Sequence, residues 1–287
     1  MKNKGLTITI VIEAESGNYG EGYNNITTLK KLTRGDGNTY TYISRQALRY
    51  NIVEQLKWNN TPVEPIGTGD KKVIQFNSDC TIKDYPEIDL FGYMKTKGGD
   101  SATTRSAVAR LSNAISLEAF EYDTDFLTNM GLAKRVNANN SIAQSEIHKA
   151  YYAYTMTIDL DKVGVDNGIE IEEFEKKNRV KELLKTIEFL YRDIKGRREN
   201  LAPIFVIGGI YDRKTPFFEN RIQLKNDKLN VEIIKDIINS DENVRKNTEV
   251  GYIGGKFTND AEIKEQLKII KVNEFFDNII KKMEEEC

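Results

Sequence analysis

Positive charge is concentrated in one early part of the chain, residues 24–57. This stretch holds six basic residues against two acidic ones, whereas the whole chain has 42 basic and 44 acidic residues and a net charge of −2. A site for a polyanion must therefore come from local segregation of charge and not from a basic surplus of the whole molecule. The basic residues are Lys30, Lys31, Arg34, Arg45, Arg49 and Lys57.

The spacing of residues 40–49 favours contact with single-stranded nucleic acid. Arg45 and Arg49 are four residues apart in a predicted helix and so share one face. Ser44 is the predicted N-cap, and the N–H groups of the helix start, beside Arg45, suit a phosphate. Tyr40 and Tyr42 alternate on the predicted preceding strand, where they can stack bases. The alternative is that the arginines form solvated ion pairs and the tyrosines pack across strands.

A second basic cluster precedes and follows a glycine pair at residues 98–99. It brings basic side chains next to small hydroxylated residues, which commonly position phosphates. We therefore count Arg105 and Arg110 as RNA-binding candidates, although an ordinary surface loop has a similar composition. The cluster consists of Lys95, Lys97, Arg105 and Arg110.

A long polar stretch, residues 121–148, contains a few apolar side chains at its middle. Apolar side chains on such an excursion can act as wedges between bases or in a neighbouring protomer. The alternative is that they fold back onto the core. The candidate wedge residues are Phe126, Leu127, Thr128, Asn129 and Met130.

Residue types argue against most enzyme classes. The chain has one histidine, His148, and two cysteines without metal-ligand spacing, which removes most zinc sites and leaves one candidate for any histidine-dependent triad. We predict no catalytic residue, metal or cofactor. Clustered carboxylates leave a metal-dependent ribonuclease that uses Asp36, Asp123 and Asp125 as the alternative.

The hydrophobic pattern predicts an α+β protein of one elaborated domain. Residues 6–12 predict a strand with one buried face, residues 152–160 a second strand, and residues 204–207 a third. Helices are predicted after Ser44 and over residues 180–190, and surface helices from Asp260 onward. This order is compatible with a ferredoxin-like or RNA-recognition-type βαββαβ core. Without an export signal or a long apolar run, we expect a cytoplasmic protein that contacts no membrane.

Four segments resemble one protein family. Residues 39–49, TYTYISRQALR, resemble the I-S-x-Q-x-L-(R/K) segment of the backbone subunit of type I, I-B-like CRISPR Cascade complexes, the "Cas-seven" family in its DevR or Cst type. Residues 105–118 and 123–128 are similar to further hallmarks of that family, and residues 154–160 to its next segment. The matches follow the family's order over residues 6–210.

The resemblance implies a hand-shaped protein and a role in antiviral defence. The RNA-recognition-type palm would comprise residues 1–60, 105–120 and 150–215, with fingers at about 61–104, a thumb at about 121–148 and a C-terminal helical part at about 225–287. Copies would line the spacer of a crRNA, next to other Cascade subunits, and display bases for target DNA. Ser44, Arg45, Gln46 and Arg49 would contact the RNA backbone. A free-standing RNA-binding module remains a further alternative.

Overall fold

The fold was analysed in a computed structural model of the 287-residue chain. The structure describes residues 4–15, 17–20, 22, 26–67, 69, 72–96 and 102–286. Lys97, part of the second basic cluster, lies outside the described residues. Strands and helices alternate along the chain, so the predicted mixed α+β class is confirmed.

The described residues form strands and helices with the following bounds. The strands are β1 (Gly5–Ala14), β2 (Ile26–Thr27), β3 (Lys31–Thr33), β4 (Thr39–Ile43), β5 (Val63–Ile66), β6 (Val73–Phe76), β7 (Tyr93–Lys95), β8 (Thr103–Arg105), β9 (Ala109–Leu111), β10 (Ala114–Ser116), β11 (Asp123–Thr128), β12 (Ile142–Ile147), β13 (Ala150–Asp159), β14 (Val165–Asp166), β15 (Ile169–Glu170), β16 (Tyr191–Ile194), β17 (Arg197–Asn200), β18 (Phe205–Tyr211), β19 (Leu224–Lys225), β20 (Lys228–Leu229), β21 (Glu249–Tyr252) and β22 (Ile269–Ile270). The helices are α1 (Arg45–Leu56), α2 (Pro86–Phe91), α3 (Met130–Arg135), α4 (Glu173–Glu188), α5 (Val231–Asn239), α6 (Glu242–Asn247), α7 (Asp260–Gln266) and α8 (Val272–Glu286).

One large sheet organises the molecule. Its strand order is β22-β21-β18-β1-β13-β10-β4-β3, and β9 also pairs with β13. Strands β1 and β13 run antiparallel through the centre and pair over ten residues, from Gly5 opposite Asp159 to Ala14 opposite Ala150. A central strand in a sheet that is covered on both faces has to bury its side chains on both sides.

Both faces of the central strands are in fact covered. Leu6, Ile8 and Ile10 pack with Tyr154 and Met156 beneath helices α1, α4 and α8. On the second face, Val11 and Ile207 pack against α5, α6 and α7. The prediction that residues 6–12 have one buried face is therefore wrong, because nearly all of β1 is buried.

Helix α8 is a surface helix, as predicted, and only one of its faces is apolar. That inner face belongs to the main core, because the helix packs directly against α4 and β21. Its charged residues occupy the outer side, which explains why the segment resembles a surface helix in sequence. The core residues of α8 are Phe275, Phe276, Ile279, Ile280 and Met283.

The described residues between 61 and 105 form an insertion of two small antiparallel strand pairs, β5–β6 and β7–β8, with α2 between them. A buried charge cluster joins this insertion to the core. The Asp89 carboxylate is fully buried and accepts hydrogen bonds from Arg105 at 2.6 Å, from Arg179 of α4 at 2.9 Å and from the Gly164 N–H at 3.0 Å. Charges that are removed from water are tolerated only with such complete pairing.

The Asp89 cluster predicts a large effect on stability. Asp89→Asn leaves Arg105 and Arg179 buried without a full counter-charge, so we expect a loss of about 3–5 kcal/mol in the free energy of unfolding. Urea denaturation monitored by circular dichroism measures the loss. Asp193→Asn is the matched control, because Asp193 pairs with Arg198 on an exposed hairpin and such pairs contribute about 1 kcal/mol or less. Equal losses in the two variants would contradict the assignment of Asp89 as the link.

Candidate nucleic-acid interface

The start of helix α1 is built as predicted, but its N–H groups are partly occupied. The Ser44 hydroxyl accepts a hydrogen bond from the Ala47 N–H at 3.2 Å, which confirms Ser44 as the N-cap. The Arg45 N–H donates to Asn113 Oδ1 at 2.9 Å. Ser44 itself is buried and donates to Asn18 Oδ1 at 2.5 Å. The expectation of free N–H groups for a phosphate is corrected accordingly, because two of them already have partners.

The side chains at this end of α1 instead line an open cleft of about 460 Å³, called the arginine cleft below. It gathers basic and polar side chains from α1 and β9 above an apolar floor. Sequence reasoning did not identify the floor, because Phe91 and Leu111 are ordinary apolar residues until the insertion folds against α1. The cleft is lined by Arg45, Gln46, Arg49, Phe91, Arg110 and Leu111.

The three guanidinium groups of the arginine cleft differ in how far they are engaged. Arg49 donates to Glu87 at 3.0 Å and lies over the Phe91 ring at 5.1 Å. Arg110 donates to Asp159 at 3.1 Å and stays half-exposed. Arg45 is exposed and has no acidic partner among the described residues. Charged donors in an open cleft can bind phosphate oxygens in more than one orientation.

Arg34 and Tyr40 contact each other, and of the two only Tyr40 is buried, because Arg34 lies exposed over its ring. The Arg34 guanidinium lies 4.0 Å from the centre of the Tyr40 ring, and the buried Tyr40 donates its hydroxyl hydrogen to Asp36 at 2.6 Å. This hydrogen bond holds the pKa of the Asp36 carboxyl below its ordinary value. The prediction that Tyr40 stacks a base is therefore corrected, because Arg34 covers its ring. Tyr42 is half-buried on the same strand.

The two lysines before β4 have separate roles. Lys31 forms an ion pair with the buried Glu146 at 2.7 Å and lies 4.6 Å from the centre of the Phe120 ring. It therefore holds the main sheet against β12, and the contact of Lys31 with RNA stays a prediction. Lys30 is half-buried and has no charged partner in the part of the chain that the structure describes.

Arg105 is a structural residue. All three of its nitrogen atoms donate to protein oxygens: Nε to the Asp89 carbonyl at 3.0 Å, Nη1 to the Val165 carbonyl at 2.6 Å and Nη2 to the Asp89 carboxylate at 2.6 Å. Nη2 also donates to the Lys162 carbonyl at 2.9 Å, and Nη1 lies 3.5 Å from the Asp166 carboxylate. The predicted contact of Arg105 with RNA is corrected, because its five N–H donors face protein oxygens and its side chain is buried.

The polar stretch forms a long hairpin, β11-α3-β12, called the apolar hairpin below. Its apolar side chains do not fold back onto the core: Phe126 is 63% exposed, Leu127 69% and Met130 49%. Thr128 and Asn129 are also exposed, and Asn129 Oδ1 accepts from the Ser141 N–H at 2.7 Å, which closes the loop. Contiguous exposed apolar groups mark an interaction surface.

Leu132 and Val136 are among the residues of this surface that sequence reasoning missed, and both are exposed at the end of the same hairpin. A signal was present, because the two residues are four apart in a segment whose other side chains are small or charged.

The carboxylates of the ribonuclease alternative are not brought together. Asp36 is bonded to Tyr40, whereas Asp123 and Asp125 lie on β11 of the apolar hairpin. Among the described residues, no three His, Cys, Asp or Glu side chains are placed to hold one metal ion. His148 donates or accepts a hydrogen bond with Thr41 Oγ1 at 2.7 Å and packs against Phe120 before β13, as expected. Burial lowers its pKa.

The fold of this chain resembles two solved structures of CRISPR surveillance-complex chains. Its fold matches a chain titled "CRISPR RNA-guided surveillance complex, pre-nicking" with a TM-score of 0.62 and 12% sequence identity. The matched region covers 97% of this chain and 100% of the other. A second chain, titled "CRISPR RNA-guided surveillance complex", matches with a TM-score of 0.58 and 13% identity over 96% and 99% of the two chains. No curated protein sequence matches.

The sequence itself identifies the family. Residues 6–233 match the family described as "CRISPR-associated negative auto-regulator DevR/Csa2". The chain belongs to this family, and the predicted resemblance is confirmed. No helix in the described part of the chain is long and apolar enough to cross a membrane.

The buried Glu118, near the base of the apolar hairpin, makes the free energy of unfolding depend on pH. Its carboxylate accepts from the Tyr151 N–H at 3.1 Å, and burial raises its pKa from 4.5 to about 7. Between these pH values the folded protein keeps a proton that the unfolded chain releases, so the free energy of unfolding falls as the pH rises from 4.5 to 7 and then levels off.

The prediction is that Glu118→Gln, which mimics the protonated acid, removes this fall and makes the protein more stable than the wild type above pH 7. Urea denaturation at several pH values measures the effect. Glu121→Gln, at an exposed side chain nearby, is the control and should keep the fall. Identical pH profiles for Glu118→Gln and the wild type would refute the assignment.

Proposed function

We propose that this chain is a non-catalytic backbone subunit that coats the spacer of a crRNA as a multimer in a CRISPR surveillance complex. It displays the guide bases for pairing with target DNA in antiviral defence. One observation carries the proposal: a chain with the fold of surveillance-complex subunits presents an open cleft lined by three arginines, of which Arg45 has no acidic partner among the described residues. Sequence-independent coating needs phosphate contacts more than base-edge contacts.

The proposed palm is the centre of the main sheet. Strands β18-β1-β13-β10 lie side by side in that order, with α1 and α4 on one face. This order, 4-1-3-2 in terms of the four core strands, is that of the ferredoxin-like and RNA-recognition βαββαβ core. It supports a palm made of residues 1–60, 105–120 and 150–215, with the arginine cleft at one side.

The proposed fingers and thumb are the two excursions from this core. The insertion at about 61–104 supplies fingers, and the apolar hairpin, within residues 121–148, supplies the thumb; the C-terminal helical part is residues 225–287. Val73, Ile74 and Met94 of the fingers are exposed, like Phe126 and Leu127 of the hairpin. Two different apolar surfaces on one chain favour head-to-tail contact between copies, which forms a filament and not a closed dimer.

The charge distribution fits this role. A filament subunit needs one basic groove for phosphates, while a neutral or acidic remainder packs against neighbouring copies and other Cascade subunits. The net charge of −2 is therefore no obstacle to RNA binding.

The arginine cleft predicts the loss of RNA binding on charge reversal. Arg45→Glu with Arg49→Glu removes two phosphate contacts and adds repulsion, so we expect affinity for single-stranded RNA to fall about 100-fold or more. The slope of log K against log salt should decrease by roughly 1.4, since each contact to a single strand contributes ~0.7. Filter binding at several salt concentrations measures both quantities.

The control for that variant reverses the same amount of charge elsewhere. Arg245 and Lys268 are exposed near the opposite edge of the main sheet, beside β18 and β22, and Arg245→Glu with Lys268→Glu should bind RNA like the wild type. Unchanged binding by the arginine-cleft variant would refute the proposed groove. RNA cleavage that needs Mg²⁺ or Mn²⁺ and is abolished by Asp36→Asn would favour the ribonuclease. Bound RNA of mixed lengths on the purified protein would favour a free-standing RNA-binding module.

The apolar hairpin predicts a separate phenotype. Phe126→Ala with Leu127→Ala leaves the arginine cleft intact but removes the wedge, so RNA affinity should fall less than about tenfold while the regular nuclease-protection pattern on a long RNA disappears. Phe174→Ala with Phe189→Ala is the matched control, because these rings are 79% and 66% exposed on and beside α4. A regular pattern retained by the hairpin variant would overturn the thumb assignment.

A further inference from the structure

A cavity of about 460 Å³, called the lysine pocket below, lies between the insertion and the β14–β15 strand pair. Its walls come from residues 78–82, β7 and β8 of the insertion and from residues 166–169. None of its described lining residues also lines the arginine cleft. Its volume is in the range of sites for small ligands.

The pairing of β7 with β8 brings polar side chains to one wall of the lysine pocket. Lys95 is opposite Thr103, and Tyr93 is opposite Arg105. Side chains two apart on a strand, and those directly opposite on the partner strand, lie on one face. Met94, between Tyr93 and Lys95, belongs to the other face and is exposed. Lys95, Tyr93 and Thr103 therefore line the pocket together.

Lys95 is buried without a counter-charge among the described residues. It is only 6% exposed, and its ammonium group donates to the Cys80 carbonyl and lies 4.2 Å from the centre of the Tyr93 ring. No described carboxylate lies within ion-pair distance, and two of its three N–H donors have no acceptor in the described part of the chain. Burial lowers the pKa of this ammonium group, because a charge is costly away from water.

Lys176 is a buried lysine with the opposite environment. It is 4% exposed, and its ammonium group pairs with Glu170 at 2.7 Å and with Glu173 at 2.6 Å. Burial disfavours its charge too, but the two carboxylates outweigh burial and raise its pKa. Buried charges are normally paired in this way. Lys95 lacks such a partner at a cavity that has room for one.

We propose that the lysine pocket binds a small organic acid through one carboxylate group, which pairs with the Lys95 ammonium group. The Thr103 hydroxyl, on the neighbouring strand, has no partner among the described residues and donates to the same carboxylate. The apolar body of the acid contacts Ile82 and Ile169. The proposal does not depend on RNA binding.

The charges around the pocket favour a carboxylate over a phosphate. Asp166 also lines the pocket, where it accepts from the Tyr93 hydroxyl at 2.8 Å and lies 3.5 Å from Arg105. Its negative charge repels the second charge of a phosphate, whereas a single carboxylate neutralises Lys95. Among the described lining residues there is no arginine, the residue whose planar group suits bidentate phosphate contact.

The experiment measures the thermal unfolding midpoint of the full chain in sodium acetate, sodium butyrate or sodium phosphate at constant pH and ionic strength. A ligand that binds the native state raises the midpoint with saturation. We expect saturation with acetate, and with butyrate at about tenfold lower concentration, because butyrate buries two more methylene groups. A saturable effect of phosphate as large as that of acetate would overturn the choice of a carboxylate.

Lys95→Met removes the charge and keeps an apolar side chain of similar length, so it should abolish the saturable effect. The variant should fold, because apolar replacement of a buried charge is often neutral or stabilising. Lys281→Met is the control, because Lys281 is 75% exposed on α8, and it should keep the effect. Equal saturable effects in Lys95→Met and the wild type would overturn the proposal.

A chemical readout uses the wild type alone. N-hydroxysulfosuccinimide acetate acetylates free amines, and peptide mass spectrometry measures the rate at each lysine. Butyrate at ten times its dissociation constant should slow the labelling of Lys95 about tenfold and leave that of Lys281 unchanged. Equal labelling of Lys95 with and without butyrate would contradict a carboxylate bound at this amine.

An internal counter-charge is tested at Asp100, which is close to Lys95 in sequence and lies outside the described residues. Asp100→Asn should respond to butyrate like the wild type. A saturable effect that appears only in Asp100→Asn would overturn the proposal, because the chain itself would then supply the carboxylate. RNA binding by the arginine cleft is measured separately, so either proposal can fail while the other stands.

Discussion

The ten-residue antiparallel pairing of β1 with β13 is the constraint on which the rest of the structure depends. These strands lie in the middle of the sheet, so side chains on both faces have to be covered by other parts of the chain. Helices α1, α4 and α8 cover one face, and the segment from residue 217 to 267 covers part of the second. Elsewhere on the second face, Thr9 and Thr155 line a cavity whose other lining residues are both polar and apolar.

Some arginines of this protein are structural and others line the arginine cleft. The buried carboxylate of Asp89 determines which arginines are structural. Asp89 is buried in α2 and binds Arg105 and Arg179, so these two guanidinium groups attach the insertion to the core. Arg45 and Arg110 lie near the same insertion but on its open side. The buried cluster therefore also shapes the arginine cleft, because it holds Phe91 and Glu87 of α2 against Arg49.

The apolar hairpin exposes large apolar side chains that most folded proteins bury. These side chains do not contribute hydrophobic stabilisation to the isolated chain, because they are not buried. Polar anchors hold the hairpin at its base instead: Lys31 with Glu146, and Thr41 with His148. A projection that is anchored at its base and apolar at its end is suited to contact with something outside the chain.

The sequence by itself determined the local structure and the family. Alternation of side chains identified β13, the Ser44 cap identified the start of α1, and the motifs at residues 39–49 and 105–118 identified the DevR/Csa2 family. Those signals depend on neighbours in the chain, and a single sequence contains them. Only the tertiary structure decided which basic side chains remain available. Arg105 and Arg45 look alike in sequence, but Arg105 pairs with the buried Asp89, 16 residues away in the chain, whereas Arg45 has no acidic partner among the described residues. Burial and ion pairing are long-range properties, so residue type and spacing do not specify them.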